Sequence, residues 1–226
     1  QAMSLKTQLR LFANPALNRD GLFPELVFFD CMACHREISE DPNWRPGVRP
    51  NPGRPQAPGL VKFNDSAMIM LLATARQIAP DLAPTLDKQI RDFHQVVSGG
   101  NTKLSQKQVS DALSSSADIL MARVQKTQFS RAQTLDILSE ILTETLSRRY
   151  TDYVAAEQAV MATDTLLSAM IAARQVSRAQ VTGMRDEIEK AYTAVEEPNA
   201  YNQDKLTKAL RKINGRLGEL RSAEAK

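Results

Sequence analysis

The fold class that the sequence predicts is all-α and in two parts: a proline-rich segment carrying one compact chemical motif, then an antiparallel helical bundle. Three observations lead there. Aromatic residues are only 5% of the 226, too few for a β-sandwich or barrel. Ten of the eleven prolines precede residue 85, and six of them fall within 41–58. Beyond Gly99-Gly100 the chain turns to Ala, Leu, Gln, Arg, Glu and Lys, the strong helix formers. The expected division is therefore 1–100 and 101–226.

Taken in order, Gln1-Ala2-Met3 reads as the remnant of an expression tag and is set aside. Residues 41–59 hold Pro42, Pro46, Pro50, Pro52, Pro55 and Pro58, with Gly47, Gly53 and Gly59 among or beside them. Proline fixes φ and donates no N–H, so this stretch is expected as an extended, partly polyproline-II loop. Helices follow near 66–79 and 84–97. Three serine–glutamine pairs then mark helix starts: Ser105 with Gln108, Ser130 with Gln133, and Ser177 with Gln180. Each places serine at the N-cap and glutamine at N3, the reciprocal capping box. They open helices expected over 105–127, 130–173 (bent at Ser147–Arg149) and 177–194. The last helix, 200–222, follows Pro198, with Asn199 or Asn202 as its cap. Its Leu206, Leu210, Ile213, Leu217 and Leu220 form a narrow seam that seeks a helical partner, within the chain or in a homodimer through the tail.

Charge narrows the function. The chain carries 29 Lys and Arg against 26 Asp and Glu, a net +3, and neither half has the basic excess that phosphate-backbone binding needs. No apolar run reaches the roughly 18 residues of a membrane span. Nucleic-acid binding and membrane insertion are not expected.

The chain has two cysteines and two histidines, and three of those four residues lie in Cys31-Met32-Ala33-Cys34-His35. This is C-x-x-C-H, the attachment signature for haem c. Thiols three residues apart on one helical turn reach both vinyl groups of one porphyrin, and the adjacent imidazole turns to the iron as proximal ligand. The same residues admit other readings. A thiol–disulfide oxidoreductase also uses C-x-x-C, but in a βαβ setting that this proline-rich, strand-poor surrounding does not offer. Cys31, Cys34, His35 and His94 make a Cys₂His₂ zinc set on paper, although Cys34 and His35 are awkward neighbours on one metal. A plain disulfide or two buried thiols is the reading without chemistry.

The run Leu26–Arg36, followed by the Pro/Arg-rich loop and Leu60–Ser66, resembles the last haem-binding segment of bacterial multihaem c-type cytochromes. The likeness covers about residues 22–100 and leaves the helical tail uncovered. It departs from that pattern in having a single C-x-x-C-H, which implies either further haem sites upstream or a lineage with one. It implies Cys31 and Cys34 as thioether links and His35 as the proximal iron ligand.

The sixth iron ligand has to come from elsewhere. His94 sits on an apolar helical face with Ile90 and Val97 and is the candidate distal ligand. Its alternative role is a hydrogen-bonded core histidine. Met68 is the alternative distal ligand, with Met70 behind it; both also suit core packing. Met32 is expected to pack on the porphyrin. Arg45 and Arg49, with Arg36 and Arg54, are candidates for propionate contacts, and Trp44 for an anchor of the loop.

The function expected is electron transfer by one covalent haem c, with redox proteins as partners. Thioether attachment takes place outside the cytoplasmic membrane, so a periplasmic protein is expected. A six-coordinate iron leaves no position for substrate, so catalysis is not implied. Two alternatives remain open: a haem-based sensor or ligand-binding module with the tail as signalling or dimerisation element, and a non-haem structural protein with a C-x-x-C disulfide or zinc site.

Overall fold

The computed structural model describes residues 1–17, 19–20, 23–30, 62–99, 102–147 and 153–222. Its elements are α1 (Ala2–Ala13), β1 (Arg19–Asp20), β2 (Phe23–Pro24), β3 (Phe29–Asp30), β4 (Lys62–Phe63), α2 (Ser66–Ile78), α3 (Ala83–Val97), α4 (Gln106–Lys126), α5 (Arg131–Leu146), α6 (Tyr153–Ala172), α7 (Arg178–Ala194) and α8 (Gln203–Ser222). The strands make two short antiparallel ladders, β1–β2 and β3–β4; the fold is otherwise helical. The proline-rich stretch 41–59 lies outside the described residues. Two compact units emerge, Gln1–Lys126 and Thr127–Lys226, so contacts divide the chain after α4 rather than after residue 100. The reason is that α4 packs on α1, α2 and α3.

Helix α1 is absent from the sequence expectation, yet Ala2 and Met3, set aside there, belong to it. Its logic is simple: Leu5, Leu9 and Phe12 recur on one face and are all buried. Pro15 disfavours helix at Asn14, which is extended at φ −94°, ψ 110°. The first unit's core gathers this face with Phe28, Phe63, Leu72, Leu86, Phe93 and Leu113. Despite the low aromatic content, phenylalanines converge at its centre. Phe12 meets Phe28, Phe63 and Phe93 at centroid distances of 5.4, 5.0 and 5.8 Å, and Phe63 meets Phe93 at 4.7 Å. Most of these contacts are edge-on, the geometry that ring quadrupoles favour. Helix α3 has Pro84 in its first turn and ends at Gly99, whose φ of +65° calls for glycine.

In the second unit, α5 to α8 form a four-helix ring in which each helix packs on two others. Cross-helix bonds set the directions as antiparallel. Arg131 at the start of α5 donates to the Leu220 carbonyl near the end of α8 (2.9 Å), and Tyr153 at the start of α6 donates to the Val195 carbonyl after α7 (3.0 Å). All three capping boxes form, at Ser105/Gln108, Ser130/Gln133 and Ser177/Gln180. Asn202 caps α8, accepting from the Lys205 N–H at 2.9 Å. The α8 seam is buried in this unit's own core with Leu142, Val181 and Ile188. One expectation is corrected: 130–173 is two packed helices, α5 and α6, and not one bent helix. The apolar repeat runs on through Leu146 and Val154, so periodicity alone hides the break.

Two predictions follow from local geometry. A Cβ built at Gly215 or Gly218 on α8 meets nothing within 4 Å, whereas at Gly183 on α7 it runs into the Arg216 guanidinium. Gly215→Ala and Gly218→Ala should each add about 0.5–1 kcal/mol of stability in urea unfolding, and Gly183→Ala should fall short of both. On the first unit, Arg123 grips Asp81 with two nitrogens, one at 2.7 Å, and holds its carboxyl down to about 2. A lowered carboxylate pKa stabilises the fold above the ordinary value of 3.8 and loses that contribution as pH falls toward 2. An NMR titration should place the Asp81 midpoint near there, and Arg123→Ala should return it to the ordinary range.

Candidate functional site

Cys31, Met32, Cys34, His35, Arg36, Trp44, Arg45, Arg49 and Arg54 lie outside the described residues. What is described is the ground on either side of them. Strand β3 ends at Asp30, directly before Cys31, and β4 begins at Lys62, three positions after the proline-rich stretch 41–59. The ladder pairs Phe29 with Phe63 and Asp30 with Lys62, which brings residues 30 and 62 together. The ladder is extended by the Asn64 N–H, which donates to the Phe28 carbonyl at 2.8 Å. From α1, the Gln8 side chain donates to the Asn64 carbonyl at 3.1 Å. Buried Phe28 and Phe63 seat the ladder in the apolar core.

This ground is unusually polar for its depth. Asp30, Lys62, Asp65 and His94 are 3%, 8%, 2% and 4% exposed. Burying such groups is costly unless each is matched. Asp65 occupies the N-cap of α2, where an aspartate ordinarily accepts from the backbone of the first turn. Its side chain makes no such bond. Instead its Oδ2 lies 2.9 Å from Nε2 of His94, in the last turn of α3. The ring N–H is not aligned on that oxygen, so the contact is electrostatic rather than a directed hydrogen bond.

That arrangement fits a metal-binding imidazole, because ligating histidines characteristically present their second ring nitrogen to a carboxylate or carbonyl. Met68 is placed differently. It is 3% exposed within the apolar cluster that includes Phe63, Leu72 and Phe93, while Met70 is half-buried. Among the described residues, no group of three or more His, Cys, Asp and Glu is placed to hold a metal ion. Nor is any described helix long and apolar enough to cross a membrane.

Asp65 is the residue that sequence reasoning passes over. In Asn64-Asp65-Ser66 it looks like an ordinary helix cap, and nothing local links it to an imidazole 29 positions later. No family model, curated protein or solved structure matches the chain, so function rests on the chemistry of these residues.

Removing one partner of a buried polar pair strands the other. Asp65→Ala should cost the first unit about 3 kcal/mol in urea unfolding. Lys88→Ala, which removes an exposed i,i+4 partner of Asp92, should change stability by less than about 0.5 kcal/mol. Equal effects would mean that the Asp65–His94 contact contributes nothing special.

Proposed function

We propose that the chain is an exported haem c protein of the electron-transfer class, with one covalent haem joined to Cys31 and Cys34 and redox proteins as its partners. The observation that carries this reading is Cys31-Met32-Ala33-Cys34-His35, which begins one residue after a buried ladder strand. When bound, the haem would supply a one-electron iron couple whose potential depends on axial ligands and burial. His35 would be the proximal ligand and His94 the distal one. Asp65 would hold the His94 ring in orientation. The β3–β4 ladder would fix where the attachment segment leaves and re-enters the first unit, and the surrounding apolar core would limit water. Two of the arginines, Arg45 and Arg49, suit the propionates chemically.

The test is an alkaline pyridine haemochrome spectrum on protein matured in an export-competent host, with iron analysis beside it. A reduced c-type α-band with one iron per chain is expected, and it should vanish when Cys31 and Cys34 are both replaced by Ala. A colourless, iron-free protein would overturn the reading in favour of a disulfide or zinc site. Added carbon monoxide should leave the spectrum of the reduced protein unchanged; a shift would indicate an open or displaceable sixth site and a sensor.

A further inference from the structure

Charge is unevenly spread over the second unit. The exposed positions of α7 and α8 are rich in it, with Arg185, Glu189, Lys208, Arg211 and Arg216 among them. On α5 and α6 no exposed position is charged: they are Ala132, Thr143, Met161, Thr165, Ala169 and Ala172. The four on α6 recur at spacings of four, four and three, which keeps them on one side of the helix, and the two on α5 are eleven residues, about three turns, apart. Met161 is the largest of the six and is 46% exposed. The carboxylates that these helices possess are drawn toward their neighbours. Asp136 accepts from Arg221 of α8 at 2.5 Å, and Asp164 from the Tyr192 hydroxyl of α7 at 3.4 Å. Glu140, Glu144 and Glu157 are half-buried.

A helix that faces water normally carries its charges outward, and the centre of a protein–protein interface is where charge is depleted. The size of the face agrees with that reading. Helices of 16 and 20 residues are about 24 and 30 Å long. Packed side by side about 10 Å apart, they present roughly 500 Å². Two such faces together bury about 1,000 Å², the size at which specific interfaces begin.

Charge also selects the occupant. Set against a face like that of α7 and α8, the neutral face would bury ions without partners. Set against itself about a two-fold axis it leaves no ion to match, and every copy of the chain carries it. Its alanines and threonines let facing helices approach closely, and the flexible Met161 fills what gaps remain. The Leu206–Leu220 seam of α8 is buried in the unit's own core and is not free for this role.

We propose that two copies of the chain pair through the outward faces of α5 and α6 as a two-fold homodimer. The pairing does not depend on haem.

Sedimentation equilibrium of the full chain over a dilution series is the test. A mass of two chains is expected at the highest concentrations. Met161→Glu and Ala169→Glu, each placing a carboxylate in the face, should raise the dissociation constant at least ten-fold with helicity by circular dichroism unchanged. Lys208→Glu, on the outward side of α8, should leave it unaltered. The parent gives a second readout that needs no variant: under conditions that dissociate the dimer, the Met161 methyl signal in NMR should shift while that of Met170, 1% exposed, stays in place. A parent that is monomeric at every concentration would overturn the proposal, and protection of Met161 from oxidation in that monomer would assign the face to another part of the chain. A dimer that survives both glutamate variants, or one whose Met161 signal ignores dissociation, would place the interface elsewhere and overturn it equally.

Discussion

The β3–β4 ladder is the constraint on which the first unit's organisation depends. It brings residues 30 and 62 together, and joining two points that far apart along an unfolded chain costs roughly 3 kcal/mol of chain entropy. Two residue pairs of ladder cannot offset that alone. What offsets it is the burial of Phe28 and Phe63 among Phe12 and Phe93, where the interlocking rings are worth more than their area. The aromatic cluster therefore has a structural task in the first unit. It anchors both ends of the segment bearing the two cysteines, and it does so with α1, α3 and the ladder together. The second unit is built on a plainer principle, an apolar core within four antiparallel helices whose ends are capped.

Against that apolar centre, the buried polar residues at the loop's base stand out. Asp65 gives up helix capping to face His94, and Asp30 and Lys62 are buried opposite one another at the two ends of residues 31–61. A core optimised only for stability would replace such groups with apolar ones. Beside a C-x-x-C-H motif, the proposed axial role of His94 would give the Asp65 carboxylate a physical reason to be kept, because it would hold the imidazole in a fixed orientation.

Local chemistry was legible in the sequence, and long-range chemistry was not. The capping boxes at Ser105, Ser130 and Ser177 are complete within four residues, and each forms. The α8 seam is likewise a property of one helix; only its partner, this unit's own core, had to come from the fold. Helix α1 was hidden by attention to its first three residues, although Leu5, Leu9 and Phe12 carried the signal. The break between α5 and α6 was hidden because apolar periodicity continues from Leu146 to Val154 and the sequence between them holds no glycine or proline. Packing of α5 on α6 decides that break, and periodicity does not encode packing. His94 was legible as a candidate, but its carboxylate was not, since Asp65 meets it only when α2 and α3 pack. The cysteines and His35 are read as chemistry from spacing alone, and they lie outside the described residues.

The account's central claim is that the buried imidazole at the base of the loop completes the iron site begun by the attachment motif. Electron paramagnetic resonance of the ferric, haem-loaded protein tests it most directly when the parent is compared with His94→Ala. The account predicts a low-spin signal in the parent and conversion to high spin in the variant, with covalent haem retained in both. A low-spin signal that survives His94→Ala would contradict it and assign the sixth position to another residue.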